Sequence, residues 1–266
     1  MRIKEYLSLW KELIRLNIAT WMEYRLDFFI GIFAMFISNL TSIIFFWVLF
    51  QSIVQINGWT FWQLIFLAGL SSLTVGIWHA FLVGAAPWRA ERLIRTGSFD
   101  RLLTQPVNPF VFLVISNIDD DGFGDLIAGL LITYLGATMS GILLTPLNII
   151  LLSLFVFGAV LIFFSITLIT STLCFWITKS GAIGEIIWSL MRFVDLPLEV
   201  YNPFVTFILT FIIPIAFINF YPAEFFLGKG LYMWFAYLTP IIGIISFIVA
   251  YKLWKFGLKN YTSTGS

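Results

Sequence analysis

The residues that could bind a metal ion or carry out catalysis are few. Asp119–Asp121 and Gly122 superficially resemble a calcium loop, but the alternating acidic spacing and the downstream glutamate of an EF-hand are absent. We interpret this acidic run as the N-terminal end of an apolar helix, where the helix dipole favours negative charge. The chain has one histidine, His79, and one cysteine, Cys174. These counts exclude a multi-histidine metal site, a cysteine-based metal cluster and an internal disulfide.

Sequence motifs of nucleotide binding and hydrolysis are absent. The chain contains no G-x-x-x-x-G-K-[ST], G-x-S-x-G or H-E-x-x-H pattern, and Gly228-Lys229-Gly230 lacks the frame of a P-loop. The apolar runs contain almost no ionisable residue, and we interpret His79 as a packing or interface residue. We therefore expect a protein that is not an enzyme, binds no cofactor and does not supply its own driving force for transport.

The longest charged segment, Arg89–Pro109, predicts two short helices. Pro87 suits the first turn of a helix over Trp88–Thr96, and Gly97 suits its C-terminal stop. Ser98 can cap a second helix over Phe99–Thr104, which Pro106 ends. The pair is expected to expose the following side chains: Arg95, Phe99, Asp100 and Arg101.

This predicted helix pair has two possible roles. An aromatic side chain flanked by charges of both signs suits docking into a groove on another protein. A solvated loop that binds lipid headgroups has the same composition. The residues alone do not choose between the two.

The composition is that of an integral membrane protein. Hydrophobic residues make up 60% of the 266 residues and charged residues only 11%, against about 25% charged in soluble domains. The mean hydropathy is +0.98. The formal net charge of +1 gives no reason to expect nucleic-acid binding.

The pattern predicts an interfacial helix followed by six membrane spans. Residues 1–27 place Ile3, Leu7, Trp10 and Ile14 on one face, which is typical of an amphipathic helix in the headgroup plane. Each of the next six apolar runs is close to the roughly 20 residues that a bilayer requires. The predicted spans are residues 28–50, 61–83, 125–140, 147–177, 203–220 and 231–253, within a membrane domain of residues 28–257 that precedes a tail of residues 258–266.

The basic residues predict the orientation of these spans. Fourteen of the fifteen lysines and arginines lie before span one, at or beyond the C-terminal end of span six, or in the links between spans two and three and between spans four and five. Only Lys229 lies in an alternate link. The positive-inside rule then places both termini in the cytoplasm. The cytoplasmic link Lys179–Asn202 includes an amphipathic stretch, Gly181–Asp195, that reads as a second interfacial helix or as an extension of span five.

Two features of the spans remain open on the sequence alone. Small and hydroxyl residues either pack helices closely or form a weakly polar lining for an amphiphilic substrate. The candidates for such a lining are Asn39, Ser42, Thr133, Thr167 and Ser171. The link Tyr221–Gly230 suits either a short helix that re-enters the outer edge of the bilayer or an ordinary loop in the aromatic belt.

Two stretches resemble the ABC type-2 exporter permeases, specifically their bacterial six-span branch. They are RTGSFDRLLTQPVNP at Arg95–Pro109 and LTFIIPIAFINFYPA at Leu209–Ala223, with FFLG following. The resemblance extends over nearly the whole chain and includes the amphipathic N-terminal helix. It implies an all-α membrane protein with six transmembrane helices, a cytoplasmic coupling helix and a re-entrant outer hairpin between spans five and six.

The resemblance also implies a division of labour. A separate cytoplasmic ABC ATPase, in two copies, would bind ATP and Mg²⁺, while this chain and a second, different six-span permease would form the pathway in the bacterial inner membrane. The segment Arg95–Leu102 would be the coupling helix that docks on the ATPase. The outer hairpin would close the exit through Pro214, Asn219, Tyr221, Pro222, Glu224 and Phe225.

A different class of function is also compatible with the residues. The chain could be a non-enzymatic membrane scaffold or a passive lipid scramblase that needs no ATPase. Apolar, aromatic-rich walls suit a drug, a lipid, a glycolipid or a hydrophobic peptide, and the sequence does not choose among these substrates.

Overall fold

A computed structural model describes residues 3–177, 183–186, 189 and 195–262. Within these residues the regular structure is helical, apart from an isolated bridge between Ile56 and Trp59. The α-helices discussed below are α1 Ile3–Glu23, α2 Arg25–Leu49, α3 Phe61–Leu82, α4 Pro87–Arg95, α5 Ser98–Leu103, α6 Pro109–Ile115, α7 Asp121–Met139, α8 Pro146–Thr172, α9 Pro203–Phe207, α10 Phe220–Leu227 and α11 Thr239–Lys259.

Among the described residues, five helical segments are long and apolar enough to cross a membrane. They correspond to five of the six spans that hydropathy predicts. Their bounds are Arg25–Leu49, Phe61–Arg95, Asp121–Met139, Pro146–Phe175 and Met233–Lys259, where adjoining helical turns are counted with the main helix.

The helices α3 and α7 form the most extensive contact in the bundle because glycines let their backbones meet. A Cβ atom at Gly76 of α3 would lie 2.5 Å from the backbone nitrogen of Leu126, and one at Gly129 of α7 would overlap the backbone of Leu73. Close approach through small residues is the usual basis of helix packing in membranes. The small face that the sequence shows on α7 is therefore a packing face.

The order of the helices along the chain defines the two ends of the bundle. The loop of residues 51–60 joins α2 to α3 at one end, which we call the opposite end. The arginine-bearing helices α4 and α5 follow the other end of α3, which we call the basic end. The last turns of α11 also lie at the basic end, since Trp254 packs against Phe99 of α5.

The prediction that residues 203–220 form one continuous span is wrong. Helix α9 passes into a π-helical turn, Ile208–Ile212, and then ends. Ile213 is extended and Pro214, which has no N–H group to donate, follows it before a short 3₁₀ turn, Ile215–Phe217. A window average of hydropathy does not register this break.

The link preceding α9 ends at the opposite end of the bundle, and not at the basic end as the sequence predicts. The Asn57 side chain, in the loop of residues 51–60, donates to the backbone oxygen of Glu199 at 2.8 Å. Upstream, Trp176 packs against Phe256 near the end of α11, with ring centroids 6.0 Å apart. The chain between Ile177 and Leu198 therefore connects the two ends of the bundle. Much of the predicted amphipathic stretch, Gly181–Asp195, lies outside the described residues.

This arrangement predicts that Glu199 faces the outside of the cell. In a background in which the buried Cys174 is replaced by serine, Glu199→Cys should react with a membrane-impermeant maleimide in intact cells, because Glu199 is exposed beside the loop of residues 51–60. Lys259→Cys, which is exposed at the basic end, should react only after permeabilisation. Labelling of Glu199→Cys only after permeabilisation would show that Glu199 faces the cytoplasm, as the sequence predicts.

A second prediction concerns the α3–α7 contact. Replacing Gly129 by valine should lower the thermal midpoint by about 5 °C or more, because overpacking of a close contact costs roughly 1–3 kcal/mol. Leu130→Val is the matched control, since Leu130 is 53% exposed on the other face of α7. Thermal unfolding of the detergent-purified chain measures both, and equal midpoints would contradict the packing role of Gly129.

Candidate functional site

Two short helices at the basic end occupy the segment in which the sequence predicts them. Helix α4 begins at Pro87, and Gly97, with a φ of 66°, turns the chain into α5. This left-handed conformation is one that glycine adopts without steric cost. The expected capping role of Ser98 is wrong, because Gly97 occupies the cap position and the Ser98 hydroxyl instead accepts from the Thr96 hydroxyl at 3.0 Å.

The expectation that Phe99 projects from this pair is also wrong. Phe99 is 1% exposed and Leu102 is 5% exposed. The Phe99 ring packs against Phe175, Trp254 and Tyr261, with centroids 5.4, 6.4 and 5.1 Å away. The apolar side of a one-turn helix is buried wherever such surface is available, and here the ends of α8 and α11 provide it. Phe99 therefore anchors α5 to the bundle.

The charged side chains of the helix pair remain on its outer surface. The Arg95 side chain is 62% exposed and lies 3.3 Å from Glu91, a pair that adds little stability at such exposure. Arg101 is exposed and Asp100 is half-buried. Burial, together with the Asp100 carboxylate, raises the pKa of Tyr261 to about 12, so the phenol that supports Phe99 is neutral at physiological pH.

The acidic run before α7 has a structural partner. The Arg89 guanidinium of α4 pairs with the Asp119 carboxylate and donates to the Asn117 side chain at 2.8 Å. The Asp119 backbone N–H donates to the carbonyl of Ala80 near the end of α3 at 3.1 Å. These bonds connect the first turn of α4 to the residues just before α7 and to the end of α3.

A polar cluster lies between α2, α3 and α7. The Asn39 amide donates to Asp125 Oδ1 at 2.6 Å, and His79 Nδ1 lies 2.7 Å from Asp125 Oδ2. The sequence indicates His79 only as a packing or interface residue and gives no sign of its pairing with Asp125. The cluster borders a polar cavity of about 410 Å³, and the side chains lining it are those of Met35, Ser38, Asn39, Ser42, Val75, Trp78, His79, Trp88 and Asp125.

The structure separates the residues considered as a pathway lining. Asn39 and Ser42 line the polar cavity. Thr133, Thr167 and Ser171 are between 0% and 4% exposed and lie in helix contacts within the chain. Thr167 accepts from the Trp78 indole at 3.1 Å, and Ser171 donates to the carbonyl of Ala85. The positions of these three residues therefore fit helix packing and not a polar lining for a substrate.

At the opposite end, the segment from α9 to Gly230 folds back along α3. We call residues 203–230 the outer hairpin. The Asn219 side chain donates to Ser71 Oγ at 2.6 Å. Ser71 lies ten residues along α3 from Phe61, which corresponds to about 15 Å at the rise of an α-helix. The turn before α10 therefore lies well away from the Phe61 end of α3.

The outer hairpin is held at both arms. The hydroxyls of Thr210 and Tyr221 are 3.1 Å apart, which joins the first arm to α10. Lys229 donates to the carbonyl of Gly58 at 2.6 Å and to Gln63 Oε1 at 2.5 Å. Loss of solvent on burial lowers the pKa of Lys229.

The remaining residues expected to form a gate also lie on the outer hairpin. Pro214 ends its first arm, and Pro222 lies in the first turn of α10. Phe225 packs against Phe155 of α8 and against Tyr237, with ring centroids 5.4 and 5.1 Å away.

A cavity of about 640 Å³, which we call the hairpin cavity, opens between the arms of the outer hairpin. Glu224 is 3% exposed on its wall, and its Oε2 has no hydrogen-bond partner among the described residues. Burial, and secondarily the nearby Glu199 carboxylate, raise the pKa of Glu224 to about 8. The lining residues are Leu198, Glu199, Tyr201, Pro203, Thr206, Phe207, Thr210, Phe211, Phe220, Tyr221, Glu224, Gly230, Leu231, Tyr232 and Phe235.

Comparison with known protein families identifies the family of this chain. A sequence model of the family described as "ABC-2 family transporter protein" matches residues 36–265. The chain belongs to the ABC-2 transporter family. No curated protein matches the chain in a sequence search.

Family membership fixes the general role of the molecule. ABC-2 transporter proteins are multi-pass membrane components of transport systems, and the family implies association with an ABC ATPase. The match includes α4, α5, the polar cluster and the outer hairpin. These ABC-2 elements are therefore the candidate functional parts of the chain.

Sequence reasoning could have found part of what it missed in this ABC-2 chain. Asp125 and His79 are ionisable residues within predicted spans, and such residues are functional candidates by default. Their pairing depends on the register of α3 against α7, which the glycines at the contact set. The burial of Glu224 depends on the fold of the hairpin and has no comparable signal in its neighbours along the chain.

The polar cluster yields a stability prediction. Asp125→Leu should lower the free energy of unfolding by about 3 kcal/mol, because Asn39 and His79 lose their common acceptor in a buried site. In a double-mutant cycle with His79→Phe, the two losses should be non-additive by about 1–3 kcal/mol.

Unfolding of the purified chain in mixed micelles with increasing denaturing detergent measures each term of this cycle. Thr41→Leu, on the exposed side of α2, is the control and should leave stability nearly unchanged. Strictly additive losses for Asp125 and His79 would show that the two side chains do not stabilise each other.

Proposed function

We propose that the chain is the transmembrane permease subunit of an ATP-driven exporter. The observation that carries this proposal is the α4–α5 pair, whose Arg95 and Arg101 side chains are exposed while Phe99 fixes the pair to the ends of α8 and α11. A rigid, charged projection suits a docking surface. Because the sequence contains no nucleotide-binding motif, the energy for transport has to arrive from another chain at such a surface.

The anchoring of Phe99 explains how a force would be transmitted. A push on α4 and α5 reaches the ends of α8 and α11 through the Phe99, Phe175 and Trp254 rings. It also reaches α3, which continues into α4 through the turn Val83–Ala85. Arg95 and Arg101 are the contacts with the ATPase, Asp100 supports the local surface, and Phe99 and Leu102 transmit the displacement.

The proposal assigns the re-entrant gate to the outer hairpin. Its first arm occupies the residues predicted as the fifth span, because α9 ends in a π-helical turn before Pro214. The hairpin closes the exit as a re-entrant gate.

The assembly that follows has several partners. Two copies of a cytoplasmic ABC ATPase bind ATP and Mg²⁺, and this chain binds no cofactor itself. A second, different permease packs beside it. Helix α2 offers it a face with little cover, because Phe46 is the single buried residue of that helix. The complex sits in the bacterial inner membrane among lipids, with both termini of this chain in the cytoplasm.

The docking role predicts different outcomes for exposed and buried residues of the helix pair. The double substitution Arg95→Glu and Arg101→Glu should weaken ATPase binding by about tenfold or more, because it reverses two charges at the contact. It should leave thermal stability unchanged, because both side chains are exposed. Phe99→Ala should instead lower the free energy of unfolding by about 3–5 kcal/mol.

The measurements are co-purification with the ATPase, stimulation of ATP hydrolysis and thermal unfolding of the permease alone. Arg15→Glu together with Lys11→Glu, on the exposed face of α1, controls for charge reversal elsewhere at the basic end. Unaltered assembly and coupled ATP hydrolysis in the Arg95 and Arg101 variant would contradict the docking assignment. Substrate movement without any ATPase would instead identify a passive scramblase.

A further inference from the structure

The Glu224 carboxyl is the least compensated polar group of the outer hairpin. It is 3% exposed and lines the hairpin cavity, and its Oε2 is buried without a hydrogen-bond donor among the described residues. An ionised carboxylate that is buried without a partner is strongly disfavoured. The group therefore holds a proton when the cavity is empty or requires a positive charge within it.

Among the described residues, the basic residue closest to Glu224 in sequence, Lys229, is engaged elsewhere. Its ammonium makes two short bonds, to the carbonyl of Gly58 and to Gln63. It also lies 5.2 Å from the centre of the Trp59 ring. Lys229 does not line the cavity, whereas a second acidic residue, Glu199, does.

The size and lining of the cavity indicate the kind of cation. About 640 Å³ is within the range of small-molecule sites, roughly 300–1,000 Å³. Aromatic rings of Tyr201, Phe211, Tyr221 and Tyr232 line it, and aromatic faces attract organic cations. The described residues contain no group of three His, Cys, Asp or Glu side chains suited to a metal ion.

We propose that the hairpin cavity binds an amphiphilic organic cation, with Glu224 as the counter-ion and the aromatic rings around its apolar part. The cavity lies at the opposite end of the bundle, beside the loop of residues 51–60. Its assignment as an exit site for the exported molecule rests on the proposed exporter function. The binding of the cation itself does not.

The protonation of Glu224 gives the site a characteristic pH dependence. Its raised pKa of about 8 means that the empty site is mostly protonated at neutral pH. A bound cation favours the carboxylate and therefore releases a proton. Affinity should rise with pH up to about 8 and then level off. The other charged or titratable groups near Glu224 are Glu199, Tyr221, Tyr232 and Lys229. Burial raises the pKa of Tyr221 above its usual value, so its hydroxyl keeps its proton over this range.

Two probes of nearly equal size and opposite charge test the proposal. Tetraphenylphosphonium is a permanent apolar cation, and tetraphenylborate is the corresponding anion. Equilibrium binding of each is measured on the full chain in nanodiscs, without ATPase or ATP, and binding to empty nanodiscs is subtracted. We expect saturable binding of the cation and none of the anion at the same site.

Glu224→Gln keeps the shape of the side chain and removes its charge. It should weaken cation binding by about tenfold or more, because the interaction of opposite charges is strong at a buried site. It should also abolish the pH dependence. Glu23→Gln, at the exposed end of α1, is the matched control and should bind as the unaltered chain does.

A measurement without any substitution covers the case in which Glu224→Gln does not fold. Addition of tetraphenylphosphonium to the unaltered chain in weak buffer at pH 7 should release close to one proton for each cation bound. Equal affinity of both probes, unchanged affinity of Glu224→Gln, or binding without proton release would each overturn the proposal.

A lipid ammonium headgroup has the same chemistry as the exported cation, so the nanodisc lipid is varied. Binding that persists when phosphatidylethanolamine is added to phosphatidylglycerol nanodiscs supports a site for a transported cation. Loss of binding would assign the cavity to a lipid headgroup and overturn the exit-site assignment. If cation binding holds but export of the cation by the ATPase complex fails, the proposed exporter function is at fault and the binding site stands.

Discussion

The close contact of α3 with α7 is the constraint on which the other features depend. Gly76 and Gly129 let the two backbones meet, so neither helix can slide or rotate without a steric clash. This register brings His79 of α3 opposite Asp125 of α7. It also fixes the end of α3 beside Asp119, from which α4 receives its ion pair through Arg89.

Because α3 is held in this way, it connects the two ends of the molecule. At the basic end it continues through a single turn into α4. About halfway along, Ser71 receives the hydrogen bond from Asn219 of the outer hairpin. A displacement of the helix pair therefore has a direct covalent and hydrogen-bonded route to the hairpin. Such a route is a physical connection, and its coupling has to be established by the energetics of both ends.

The sequence predicts those features that depend on local chemistry. Hydropathy locates five membrane-capable helices, and Pro87 with Gly97 predicts the bend between α4 and α5. The sequence does not predict features that depend on contacts between residues far apart in the chain. The residues next to Phe99 in sequence are the same whether its ring faces a partner protein or its own bundle. The ring packs inward because Trp254 lies close to it in the fold. Hydropathy also averages across Pro214, and thereby assigns a membrane crossing to a segment that folds back.

Two buried carboxyl groups, Asp125 and Glu224, show how burial of an acidic residue affects the stability of the fold. Asp125 accepts from Asn39 and lies beside His79, so the cost of burying it is offset within the chain. Glu224 has an unsatisfied oxygen and another carboxylate nearby, although glutamine or leucine would fit the same position without a buried charge. A buried charged residue without a partner destabilises the helix that carries it. Its presence is best explained by a state of the protein in which a group of opposite charge binds beside it. For Glu224, that state is the one with a cation in the hairpin cavity.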